Sequence, residues 1–99
     1  MFRVIIMKGA IEPWWFFEDW QEDIIDSVDF EDINEAKDYY QAKFNDFKKS
    51  YQYIRQKFDY SSAFWNEDDL FYCEDCVEYL QLYTGLMLVD MNNKIFENV

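Results

Sequence analysis

Apolar residues recur in this chain with three different rhythms, and each rhythm predicts a different element. The first is an almost unbroken run, Phe2 to Met7, short and partly β-branched, with only Arg3 polar. Such a run predicts a central strand buried on both faces. Lys8-Gly9-Ala10 follows as a turn. Pro13 then opens Trp14-Trp15-Phe16-Phe17-Glu18-Asp19-Trp20, aromatic enough to predict a second strand pairing back on the first. Proline fits the first residue of a strand or an edge strand, where its missing N–H leaves no bond unmade. Ile24-Ile25, Val28 and Phe30 predict a further short strand.

The second rhythm is helical. Apolar residues stand at Ile33, Ala36, Tyr40, Phe44, Phe47, Tyr51, Ile54 and Phe58, three or four apart throughout, which forms one stripe on an α-helix. Asp32-Ile33-Asn34-Glu35 has the form of a capping box, with Asp32 accepting from the third helical N–H and Glu35 reaching back. Ser50, with Tyr51 and Tyr53 close behind, marks a place for this helix to break.

A second helix is expected from Asn66. Asparagine caps helix N-termini well, and Glu67, Asp68 and Asp69 lie where the helix dipole favours negative charge. Leu70, Cys73, Val77, Leu80 and Tyr83 or Thr84 continue the stripe, and Gly85 suits a left-handed C-cap. Leu86 to Val89 then predicts a strand. Asn92-Asn93 predicts a tight turn returning through Lys94-Ile95-Phe96. The expected fold is a single acidic α+β domain over residues 1–99. It has a small antiparallel or mixed sheet, made of N-terminal strands and a C-terminal hairpin, covered by two or three helices.

Charge changes the picture by its placement. The chain has 21 Asp+Glu against 9 Lys+Arg, a net charge of -12, and no histidine. Glu12 to Glu35 hold ten carboxylates and no base, and Asp59 to Asp90 hold eight and no base. Between them lie Lys37, Lys43, Lys48, Lys49, Arg55 and Lys57, opposed only by Asp38 and Asp46. Aromatic residues make up 22% of the chain, so the acid decorates a folded surface and not a disordered tail. Nucleic acid and anionic membrane are excluded as direct partners, because both are polyanions. A partner steered by charge carries a basic surface. The basic middle segment also allows a homodimer, one copy's basic helix facing another's acidic flank. The opening apolar run is too short to span a bilayer and no signal-peptide pattern surrounds it, so a cytoplasmic protein is expected.

The chemical motifs are few. Cys73-Glu74-Asp75-Cys76 is a CxxC, which holds half of a tetrahedral zinc site. A third cysteine and any histidine are missing, so a closed site needs carboxylates or a second chain. Redox chemistry needs a lowered thiol pKa, and Glu74, Asp75 and Glu78 raise it. Packing is therefore the expected role of both cysteines, with no cofactor. The absence of histidine rules out Ser-His and Cys-His nucleophiles. With only Gly9 and Gly85, no glycine-rich phosphate loop exists. Adjacent carboxylates such as Glu18 with Asp19, or Glu22 with Asp23, have the chemistry for acid–base work, but a solvated face is the expected reading. No enzyme is predicted.

The tryptophans are more telling. In a strand, Trp14 and Trp20 point to one side and Trp15 to the other. One side is buried and the other becomes a contact surface, rimmed by Glu18, Asp19, Glu22 and Asp23.

Several of these segments together resemble a known family. Glu12-Pro13-Trp14-Trp15-Phe16 with Trp20 and Glu22-Asp23-Ile24, then Tyr39-Tyr40, Phe64-Trp65, Asp69, Cys73-x-x-Cys76 and Glu78-Tyr79-Leu80-Gln81-x-Tyr83 are similar, in order, to small bacterial proteins of the family called domain of unknown function 1033. The resemblance covers nearly the whole chain. It implies a source among Gram-positive bacteria and brings no activity with it. This chain departs from the family pattern at Tyr72, where a tryptophan is usual, and at Thr84-Gly85, where a His-Ser pair is usual. A histidine ligand, if relatives use one, is lost here.

The functional expectation is a non-enzymatic protein-interaction module whose acidic, aromatic surface is built from Trp14, Trp15, Trp20, Glu18, Asp19, Glu22 and Asp23. The alternatives are a small metal- or thiol-dependent protein using Cys73 and Cys76, and an acidic mimic of nucleic acid. The charge layout gives a direct prediction. Like charges crowded at both flanks repel in the folded state, and the Debye length shrinks from ~30 Å at 0.01 M salt to ~10 Å at 0.1 M. The thermal midpoint is therefore expected to rise across that range; a falling midpoint means that favourable pairs dominate.

Overall fold

The structure, a computed structural model, describes residues 1–10, 12–16, 20–75 and 77–96. β1 (Phe2–Gly9) is followed by two 3₁₀ turns, Pro13–Trp15 and Trp20–Asp23. Then come β2 (Ile24–Phe30), α1 (Ile33–Ser50), β3 (Tyr53–Phe58), β4 (Ser61–Trp65), β5 (Leu70–Cys73), β6 (Glu78–Gln81) and β7 (Tyr83–Val89). Five strands form one antiparallel sheet in the order β2-β1-β7-β4-β3, and β5 and β6 form a separate two-stranded sheet.

β1 is the interior strand that its composition predicts. Val4, Ile5, Ile6 and Met7 are all buried, with β2 on one side and β7 on the other. Period-2 alternation then divides the sheet into two faces. Val4 and Ile6 line up with Leu88 and Leu86 on one face, and Ile5 lines up with Met87 on the other.

α1 covers the first face. The core there is Val4, Ile6, Ala36, Tyr40, Phe64, Leu86 and Leu88, and the helical stripe supplies Ile33, Ala36, Tyr40, Phe44 and Phe47 to it. Asp32 caps the helix by accepting from the N–H of Asn34, 3.1 Å away, one residue earlier than a capping box places the bond. Tyr40 is 2% exposed, and its hydroxyl shares a 2.8 Å hydrogen bond with Ser62 Oγ. Burial holds this phenol above its ordinary range, although the Ser62 bond works in the opposite direction.

The helix stops at Ser50, whose hydroxyl donates back to the Asp46 carbonyl at 3.1 Å. Such a bond competes with the backbone ladder. Tyr51 is extended, and the Gln52 N–H goes to the Asn66 side chain at 2.8 Å. Ile54 and Phe58 therefore leave the stripe and stand on β3, an edge strand with every residue exposed.

Three expectations are corrected. The chain has one α-helix among the described residues, not two or three. The segment from Pro13 is not a strand, because β1 already has both edges occupied by β2 and β7. It folds instead as a 3₁₀ turn ending at Phe16, whose φ of 48° is left-handed. It lies over the second face, where Ile5, Met7, Met87 and Val89 are buried beneath Phe16, Trp20, Ile24 and Ile95. Gly85 makes this possible: a Cβ there would lie 2.8 Å from Pro13 Cβ, so Gly85 is a contact point inside β7 and not a helix cap.

The stretch after Asn66 is the third correction. It is a hairpin, with Phe71 opposite Leu80, Tyr72 opposite Tyr79 and Cys73 opposite Glu78. Its apolar residues satisfy a period of 2 as well as a helical one, and the tyrosine pair favours the sheet. Val77, at φ 53°, takes a conformation that an α-helix does not hold. The expected strand at Leu86–Val89 lies within β7. The C-terminal return occurs as a single bridge from Val89 to Ile95, with Asn93 left-handed at φ 59°.

Trp14 and Trp15 differ in burial: Trp14 is 9% exposed and Trp15 is 52% exposed. Trp14→Ala is expected to cost ~3–5 kcal/mol, as for other buried aromatics, and Trp15→Ala, which loses only exposed contacts, about 1 kcal/mol. Urea titration of the two variants measures the difference, and equal losses contradict this packing.

Candidate functional site

The tryptophan cluster is divided by the fold. Trp14 is buried under the 3₁₀ turn. Trp20 is half-buried and packs edge-on against Phe16, with ring centroids 4.9 Å apart. Only Trp15 presents a ring to solvent, and its surroundings are mixed in charge. Its indole N–H donates to Glu12 at 2.8 Å, and the Lys57 ammonium lies 4.8 Å from its ring centre. Glu22 is exposed on the second 3₁₀ turn. Asp23 is half-buried against Gly9, where an added Cβ would meet its carboxylate at 2.6 Å. Glu18 and Asp19 lie outside the described residues.

The basic middle segment is largely placed against rings. Lys37 sits 5.1 Å from the Phe96 ring centre, Lys43 5.6 Å from Tyr39 and Arg55 5.7 Å from Trp65. Arg55 also pairs with Glu12 at 3.1 Å. Around Trp65 the aromatic contacts continue, with Tyr53 stacked at 5.6 Å and Tyr83 edge-on at 5.2 Å. Each exposed cation–π contact contributes ~0.5–1 kcal/mol, so Arg55 and Lys57 help to fix edge strand β3 and the Pro13–Trp15 turn. On the opposite edge, Arg3 grips Asp29 across β1 and β2 at 2.6 and 3.3 Å. The hydrogen bond from Arg3 holds the Asp29 carboxyl below its ordinary range. Both side chains are wet, so the pair adds little stability.

Acid and exposed aromatic residues meet elsewhere, on the β5–β6 hairpin. Leu70 is 51% exposed, Tyr72 49%, Val77 73% and Tyr79 70%. The rings of Tyr72 and Tyr79 meet edge-on at 5.3 Å across the two strands. Glu67, Asp68, Glu74, Asp75 and Glu78 are exposed on and around the same hairpin. Its base is tied down by polar bonds. The Leu82 N–H donates to the Asp69 carbonyl at 2.7 Å, and Gln81 Nε2 donates to the carbonyls of Asn66 and Asp69, each at 2.8 Å.

Sequence reasoning missed this surface because the residues were assigned to a helix. The overlooked signal was the pairing of two short aromatic runs, Leu70-Phe71-Tyr72-Cys73 and Glu78-Tyr79-Leu80-Gln81, about an acidic turn. Cys73 consequently lies half-buried at the end of β5, opposite Glu78, and not on one face of a helix with Cys76. Cys76 lies outside the described residues. Among the described residues, no group of three or more His, Cys, Asp or Glu is placed to hold a metal ion. No helix there is long and apolar enough to cross a membrane.

No curated protein and no solved structure gives a significant match to this chain. The family model described as "Protein of unknown function (DUF1033)" matches residues 1–99, the whole chain, and the protein belongs to that family.

Proposed function

We propose that this protein is a cytoplasmic, non-enzymatic interaction module that binds a basic protein partner through an acidic, aromatic surface carried by the β5–β6 hairpin. The observation behind this reading is the exposure of Leu70, Tyr72 and Tyr79 on one small two-stranded sheet and of Val77 in its turn. Two-stranded sheets are marginal by themselves, and rigid tyrosines of this kind anchor interfaces when a partner desolvates them. The charge of the region agrees. Between Asp59 and Asp90 the chain has no base, so the hairpin's field attracts cationic surfaces and repels polyanions. Trp15, exposed and held by Glu12 and Lys57, is a second contact point. Trp14 and Trp20 support the body of the fold instead of the contact surface.

The test is capture of partners from a cell extract by wild type and by the Tyr72→Ala, Tyr79→Ala double variant, at low and high salt. Capture of a basic protein by the wild type is expected to fall with salt and to be lost in the variant. The variant is expected to remain folded in the absence of urea with a modestly lower urea midpoint, because the pair contributes ~0.5–1.5 kcal/mol beyond its burial. Undiminished capture by the variant contradicts the assignment of the hairpin. Displacement of nucleic acid from the captured protein identifies mimicry of nucleic acid as the mode of binding.

A further inference from the structure

A cleft of about 410 Å³ opens on the sheet face away from α1, lined by Trp14, Phe16, Phe58, Asn92, Asn93, Lys94 and Ile95. Its volume falls within the ~300–1,000 Å³ of ordinary small-ligand sites. Three parts of the fold build its walls, and each is fixed by contacts of its own. The Trp14–Phe16 wall is set by Pro13 against Gly85. The 92–95 wall is set by Asp90, whose carboxylate accepts from the N–H groups of Asn92 at 2.8 Å and Lys94 at 3.1 Å. The Val89–Ile95 bridge closes that loop. Phe58 stands beyond the irregularity between Gln56 and Phe58 where β3 meets β4.

Two features of the cleft point to a ligand. Two lining residues that are not glycine, Phe16 at φ 48° and Asn93 at φ 59°, hold left-handed backbone on different walls. Backbone of that kind is stored where surrounding contacts enforce it, often at ligand clamps. The lining also reverses the chain's charge balance. Acids outnumber bases 21 to 9 over the sequence, yet among the described residues the only charged one lining the cleft is Lys94.

We propose that this cleft binds a planar aromatic anion, with the ring held among Trp14, Phe16 and Phe58 and the charged group at Lys94. Asn92 and Asn93 offer amide donors and acceptors to polar edges of the ring system. An aryl carboxylate and a nucleoside monophosphate share this chemistry. The inference does not depend on the hairpin: its ligand and its residues are different.

Titration followed by NMR separates the possibilities, reading the Trp14 indole N–H and the backbone amides of Asn92, Asn93 and Lys94. The probes are naphthoate against neutral naphthamide, and AMP against adenosine, in about 0.15 M salt, where the chain's own negative field is screened beyond ~8 Å. Saturable shifts confined to those resonances are expected for at least one anion, with its neutral counterpart binding about fivefold more weakly, the scale of one exposed ion pair. Whether naphthoate or AMP produces them identifies the source of the ligand. Lys94→Gln, on an exposed loop, is expected to abolish the preference for the anion and leave the neutral probe's affinity unchanged. Phe58→Ala is expected to weaken charged and neutral probes alike. The proposal is overturned if neither anion shifts these resonances, or if wild type and Lys94→Gln bind anion and neutral probe with the same ratio.

Discussion

β1 sets the terms for the whole molecule. Val4 to Met7 are buried side by side, so the strand turns apolar residues to both faces of the sheet and each face needs a cover. Apolar burial contributes roughly 25 cal/mol per Å², and a face left wet would forfeit that gain. One α-helix covers one face. The other is covered by irregular chain, the Pro13–Trp15 turn, Phe16, Trp20 and the 90–95 return. This asymmetry explains why an aromatic-rich N-terminal segment is not a strand. It also explains why a cleft lies on the irregular face: short turns and loops meeting over a sheet leave gaps that a helix would fill.

Charge follows the same division of labour. Carboxylates dominate the sequence, but the bases are not spread to neutralise them. Lys37, Lys43, Arg55 and Lys57 lie against aromatic faces, where they cover rings as well as carry charge. Arg55 and Lys57 stand on β3 itself, whose exposed edge would otherwise invite pairing with another chain; cationic side chains and a bulge are common devices for blunting such an edge. With the bases committed there, the β5–β6 hairpin keeps an undiluted negative field around its exposed tyrosines.

Much of this was legible in the sequence wherever one periodicity had no rival. The interior character of β1, the helix from Ile33 with its break at Ser50, the Leu86–Val89 strand and the turn at Asn92-Asn93 all follow from local pattern. So does the different fate of Trp14 and Trp15, although the reason proved to be a 3₁₀ turn and not an alternating strand. The pattern failed where two periods fitted the same residues. Leu70, Cys73, Val77 and Leu80 satisfy a helical stripe, but a left-handed Val77 and the Tyr72–Tyr79 pair belong to a hairpin. Trp14 and Trp20 were expected on a contact surface because neither the site of Pro13's packing nor the scarcity of helices can be read locally. Gly85 looked like a helix cap for the same reason. Its role is defined by a residue 72 positions earlier in the chain (85 − 13), a distance over which sequence pattern carries no information.

The central claim is that the Pro13–Trp15 turn seals the second sheet face by resting directly on Gly85. The Gly85→Ala variant tests it most directly. Alanine suits a strand better than glycine by roughly 0.5–1 kcal/mol, so without the contact the variant should be slightly stabilised. With the contact, its Cβ would come within 2.8 Å of Pro13 Cβ and 3.0 Å of Pro13 Cγ, atoms of a rigid ring. Overpacking of that kind costs ~1–3 kcal/mol, enough to outweigh the strand preference. The account predicts a lower urea midpoint together with faster hydrogen exchange of the Trp14 indole N–H, resolved by NMR, as the turn lifts. A midpoint equal to or above wild type, with Trp14 still shielded, would contradict it.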